Sequence, residues 1–121
     1  MQHYLTNQSV EVQSLNYAFA VVCESVGNPQ YMQDENQSVS PKMIFACDTL
    51  NEASTICRNY IEEHNLGGGN WVGGQVYHPK NGIIANVSFN GRVWTLNERS
   101  FSEEDLTKSW KQFSFNDILS V

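Results

Sequence analysis

Residues 66–97, LGGGNWVGGQVYHPKNGIIANVSFNGRVWTLN, decide the fold, because two Asn-Gly dipeptides, Asn81-Gly82 and Asn90-Gly91, sit nine residues apart between alternating apolar runs. Asn-Gly is the strongest short-range hairpin signal, since a type I′ turn needs positive φ at both central residues. The stretch predicts a three-stranded meander over about 71–78, 83–89 and 92–96. With two-residue loops, Val76 faces Val87, His78 faces Ala85, Val87 faces Trp94 and Ala85 faces Leu96. Opposed residues share a sheet face. One face should then carry Val72, Val76, Ala85, Val87, Phe89, Trp94 and Leu96 as core, and the other Trp71, Gln75, Tyr77, Ile84, Asn86, Ser88, Val93 and Thr95. Gly74 opposite Phe89 suggests an aromatic ring laid over bare backbone.

Upstream, Tyr17 to Cys23 and Met43 to Cys47 are short and rich in β-formers, so each predicts a buried strand, although Leu15, Phe19, Val22 and Val26 also fit a helical face. Residues 27–41 turn to Asn, Gln, Ser, Asp and Pro and mark a long polar loop, the expected mobile region; loops of that length often carry function. Residues 1–14 show a weak alternation at Val10 and Val12 that fits either an edge strand or a loose arm. Thr49-Leu50-Asn51-Glu52 is a capping box. From it a helix should run over 50–65, with Leu50, Ala53, Cys57, Tyr60, Ile61 and His64 as its apolar stripe and Gly67 expected in the left-handed C-cap. Ser102 with Asp105 repeats the N-terminal grammar, with a staple between Phe101 and Leu106 and a helix face of Leu106, Trp110 and Phe113. The order is β-β-α-β-β-β-α: an α+β domain with a mainly antiparallel sheet, spanning residues 1–121 as one unit.

A chain of 121 residues can bury about two thirds of its unfolded surface as one domain. Its apolar runs fall far short of the ~20 residues a membrane-spanning helix needs. The N-terminus lacks the cationic start and apolar core of a secretory signal, so a cytoplasmic protein is expected. Thirteen acidic against seven basic side chains give a net charge of −6. With no cationic cluster to neutralise phosphates, nucleic acid is disfavoured as a partner; an acidic surface suits a basic protein partner equally well and is also what plain solubility produces. Three cysteines, Cys23, Cys47 and Cys57, form no CxxC pair and predict reduced, buried thiols.

Catalytic constellations fare poorly against simpler readings. LGGGNWVGG follows a helix and leads into a strand, the reverse of a phosphate loop, and lacks its Lys and Ser or Thr. Cys57 and His64 share a helix face but stand about 10 Å apart along it, too far for a thiolate–imidazole pair. His3, His64 and His78 show no metal-ligand spacing. Glu62-Glu63 and Glu103-Glu104-Asp105 fit solvated helix ends, the second set complementing the macrodipole. No catalytic residue, metal or cofactor is assigned. What remains is a face of residue types that dominate interface hot spots: Trp71, Tyr77, Ile84, Arg92, Val93, Trp94 and Trp110, with the Arg92 guanidinium near an aromatic ring at a hairpin tip. That face should be covered by a second subunit, by the C-terminal helix or by a partner. An apolar pocket lined by Trp71, Tyr77, Trp94, Trp110 and Phe113 is the alternative.

The segment from Ala53 to Thr95, through GNWVGGQVY and FNGRVW, resembles small α+β proteins carried on bacterial plasmids, phages and integron gene cassettes. The resemblance implies a cytoplasmic accessory protein of a mobile element, often a homodimer, and brings no catalytic residue with it. The function expected is a non-catalytic module that binds a protein partner; the alternative is a domain that binds a small molecule.

Overall fold

The structure, a computed structural model, describes residues 3–5 and 18–113; the alternation at Val10 and Val12 lies outside them. Strands β1 (His3–Leu5), β2 (Phe19–Cys23), β3 (Met43–Cys47), β4 (Gln75–His78), β5 (Gly82–Val87) and β6 (Val93–Thr95) form one sheet. Its order is β1-β3-β2-β4-β5-β6 and every pairing is antiparallel. Helix α1 (Leu50–Glu63) crosses one face, and the short helix α2 (Glu103–Thr107) follows β6. The α+β class and the β-β-α-β-β-β-α order hold, with β1 added at the sheet edge next to β3.

Helix α1 begins and ends on local chemistry. Thr49 Oγ1 accepts the Glu52 N–H at 3.1 Å, while the Glu52 carboxylate accepts the N–H of Asp48 rather than of the cap itself. At the other end the left-handed residue is Asn65 (φ 55), not Gly67. The Leu66 N–H reaches Ile61 O at 2.9 Å and the Asn65 N–H reaches Glu62 O at 3.2 Å, a Schellman closure with Leu66 and Ile61 both in the core. Leu50, Ala53, Ile56, Cys57, Tyr60 and Ile61 are buried on α1. They share one core with Phe19, Val21, Cys23, Cys47, Val76, Ala85 and Val87 of the sheet. Ala20, Val22 and Ile44 form a second buried cluster on the opposite face, with Tyr77 packed against it.

The hairpins depart from the predicted register, and loop length is the cause. Gly82 (φ 73) and Gly91 (φ 88) are left-handed, but Asn81 and Asn90 are not, so neither turn is type I′. The Gly91 N–H donates to Ser88 O at 2.9 Å and the Ser88 N–H to Arg92 O at 2.9 Å. That is a three-residue loop closed by a left-handed glycine, the next commonest hairpin class. One extra loop residue pairs Val87 with Val93 and Ala85 with Thr95. A one-residue slip turns every side chain of a strand over. Val93 (5% exposed) and Thr95 (4%) therefore enter the core, Trp94 turns outward, and Leu96 is 60% exposed. Between β4 and β5, Pro79-Lys80-Asn81 forms the loop and His78 pairs with Gly82. A bulge beyond Tyr77 leaves Ile84 as an extra residue, and Ile84 and Ala85 are both buried in the main core. Phe89 lies over Gly68 rather than Gly74.

The expected single C-terminal helix is two pieces. Helix α2 starts at Ser102, whose hydroxyl accepts the Asp105 N–H at 3.1 Å, and stops after one turn. Ser109 then caps a separate 3₁₀ turn, Trp110–Gln112, through a capping box of its own.

Candidate interaction surface

In this antiparallel sheet β2 ends, β3 begins, β4 begins, β5 ends and β6 begins at one edge of the molecule. The connections 24–42, 64–74 and 88–92 therefore meet there, at what we call the loop end. The glycine-rich stretch 67–74 is a packing device within it. Gly74 donates its N–H to Val22 O at 2.7 Å and accepts the Val87 N–H at 2.8 Å. With φ at 101° and an added Cβ falling 2.1 Å from Val87 O, only glycine fits.

Asn70, 6% exposed, ties this stretch to the polar loop. Its Oδ1 accepts the Gly67 N–H at 2.9 Å, its Nδ2 donates to Val26 O and Gln33 Oε1 at 2.9 Å each, and its carbonyl accepts the Val26 N–H. Gln33 Oε1 also accepts the Asn28 N–H, and Asn28 Oδ1 caps the 3₁₀ turn Pro29–Tyr31 through the Gln30 N–H. The far limb of the loop is held by a buried chain of hydroxyls. The Val39 N–H donates to Ser25 Oγ, Ser25 and Ser40 hydroxyls meet at 2.5 Å, Ser40 meets Tyr60 Oη at 2.6 Å, and Tyr60 donates to Pro41 O. Burial raises the Tyr60 pKa, which keeps that hydroxyl a donor. The segment expected to be mobile is thus tethered from both limbs through satisfied buried side chains.

On this framework stand apolar side chains that the fold does not bury. Tyr31 is 72% exposed and Met32 97%, with Met32 in left-handed backbone at φ 60. Val39, Val72 and Phe89 belong to the same end and are each more than a third exposed. Phe89 is held from beneath: Arg58 donates to its carbonyl and places its guanidinium 5.3 Å from the ring centroid.

The seven residues expected to share a partner face are not brought together. Ile84 (2% exposed) and Val93 (5%) are core beneath α1, a consequence of the bulge and the longer loop. Tyr77 packs on the opposite sheet face. Trp71 is half-buried against the main core, its Nε1 donating to Val87 O at 3.0 Å and its ring 6.0 Å from Tyr60. Trp110 is fixed by its own backbone, whose carbonyl faces His78 Nε2 at 2.9 Å. Arg92 and Trp94 do meet, with the guanidinium 5.3 Å from the indole centroid. An open cleft of about 590 Å³ runs beside them, lined by Asn86, Ser88, Trp94, Thr95, Leu96 and Glu98. The pocket drawn from Trp71, Tyr77, Trp94, Trp110 and Phe113 does not form, since Phe113 sits in the core against Phe19 and Phe101.

The groups with reactive chemistry have structural occupations. Cys23, Cys47 and Cys57 are free and buried. A hydrogen bond shared with Cys23 and then burial raise the Cys57 pKa, and burial followed by the nearby Glu52 raises that of Cys47. Neither thiol is poised to ionise. His78 Nδ1 accepts the Lys80 N–H at 3.1 Å, so Nε2 carries the proton that bonds to Trp110 O, and burial lowers its pKa. His64 lies tilted by 54° against Tyr60 with ring centroids 4.5 Å apart, and its buried Nε2 has no hydrogen-bond partner in the structure. Among the described residues no group of three His, Cys, Asp or Glu is placed to hold a metal ion, and no helix is long and apolar enough to cross a membrane. No family model, curated protein or solved structure matches the chain.

Asn70, Ser25 and Ser40 went unnoticed in the sequence because a lone Asn or Ser carries no periodic signal. Tyr31-Met32 did carry one: two large apolar residues inside an otherwise polar run.

Proposed function

We propose that this chain is a non-catalytic binding module that recognises a protein partner through the loop end of its sheet. One observation supports the reading. Of the seven large apolar side chains that stay exposed among the described residues, five (Tyr31, Met32, Val39, Val72 and Phe89) belong to connections at that end, on a framework of buried hydrogen bonds. Apolar groups gathered on one side of a polar surface mark interaction sites, and a pre-ordered loop lowers the entropy cost of using them. The resemblance to mobile-element proteins adds a context, an accessory factor acting in the cytoplasm on a host or defence component, or on a second copy of itself. A small-molecule reading rests on the cleft beside Trp94 and on a second of about 530 Å³ beside Gly91 and Phe101, both open to solvent.

A photo-crosslinking amino acid placed at Met32, with Lys80 at the opposite hairpin as control, tests the proposal in the expressing cell. A discrete protein adduct at position 32 and none at position 80 is expected. Equal adducts at both positions, or none at 32, would contradict it. Light scattering of the purified chain reports whether the partner is a second copy.

A further inference from the structure

Met32 is the most exposed of the large apolar residues at the loop end, and its own fold gives no reason for its presence there. It buries almost nothing, and left-handed backbone favours Gly, Asn or Asp over a long apolar side chain. Tyr31 beside it is similarly unburied. Acidic side chains outnumber basic ones at this end. Residues 27–41 contain Asp34 and Glu35, both exposed, and no Lys or Arg, and Glu62 and Glu63 close α1 at the same end, exposed as well. Three cations, Lys42, Arg58 and Arg92, belong to the same end; Arg58 and Arg92 lie over the Phe89 and Trp94 rings and keep their charge.

Resting on the protein-binding reading, we propose that Tyr31 and Met32 form a knob that inserts into an apolar socket on the partner, and that Lys and Arg residues rim the socket. The chemistry of each part fits. A flexible thioether fills an irregular apolar recess, and tyrosine supplies rigid contact area at little entropy cost. Asp34, Glu35, Glu62 and Glu63 attract a basic rim, speed encounter and fix orientation more than they add affinity. The Asn28, Gln33 and Asn70 network presents the knob already ordered.

A displayed library of random peptides, selected on the immobilised wild-type chain, supplies the probe. Enriched peptides should carry an apolar cluster flanked by Lys or Arg and bind wild type at least about tenfold more tightly than the Tyr31→Ala/Met32→Gly double variant, the loss of one hot spot. Their affinity should fall as salt rises. Met32→Gly alone should bind weakly yet keep the wild-type urea midpoint, which separates lost contact from lost fold. Mild peroxide treatment transfers one oxygen to the Met32 sulfur, giving sulfoxide and water, and should weaken binding; Met32→Leu should bind and ignore peroxide. Acidic or uncharged peptides that still require the tip would overturn the basic socket and leave the protein-binding reading standing. Peptides indifferent to the double variant, or no tip-dependent peptide at all, would overturn the knob itself.

Discussion

Gly91 shows how much can rest on one residue. Its φ of 88° closes the hairpin, and an added Cβ would stand 3.0 Å from Arg58 Cγ. Gly91→Val should cost about 1–3 kcal/mol through backbone strain alone, read as a lower urea midpoint. Met32 is the converse case. Gly removes a left-handed penalty of roughly 1–2 kcal/mol but frees the unfolded chain, so Met32→Gly should leave stability unchanged or slightly raised by the same measurement. His78 sets a pH limit. Its pKa in the fold is lowered from 6.5 by burial, so the unfolded chain binds the proton more readily. The stability His78 contributes is present above pH 6.5 and is lost as pH falls through the lowered value. A denaturation series should show that loss on acidification, and His78→Gln should flatten it. The Asn-Gly dipeptides located both turns in the sequence, yet a two-residue and a three-residue loop use the same dipeptide and differ in the φ of Asn and in whether the residue before it joins the loop. Residue identity alone does not separate them.

At the scale of elements, that difference exchanges the two faces of β6. Val93→Lys should cost more than about 3 kcal/mol, because it drives an unpaired charge into the core. Trp94→Lys on the outward face should cost about 1 kcal/mol, as surface-proximal changes typically do. Paired melting curves check this, and the reverse ranking would restore the two-residue loop. Helix α1 was legible to within a residue or two, since its caps and stripe are local. Thr49→Ala should remove roughly 0.5–2 kcal/mol. The break between α2 and the 3₁₀ turn was also written locally, in the Ser109-to-Gln112 capping box, and was obscured by the helical spacing of Leu106, Trp110 and Phe113. Strand faces were less legible because they depend on loop length and on the Ile84 bulge, which no periodicity encodes.

Across the whole molecule, the antiparallel order of the strands gathers three connections at one end, and buried side-chain hydrogen bonds hold them there. Gly67 apart, the side-chain partners of Asn70 are 37 and 44 residues away in sequence, so this part of the candidate site is a product of topology and could not be seen in the chain. Asn70→Ala should cost about 1–3 kcal/mol, because it strands buried donors and acceptors. The central claim, that the exposed tip is presented on a pre-ordered loop, is tested most directly by amide hydrogen exchange of the wild type and Asn70→Ala. The Val26, Gly27 and Asn28 amides, which donate to Asn70 O, Gln37 O and Gln33 Oε1, should exchange slowly in the wild type and quickly in the variant, while Val21 and Ala85 stay protected in both. Exchange of those three amides at the free-chain rate in the wild type, or undiminished protection in Asn70→Ala, would contradict it.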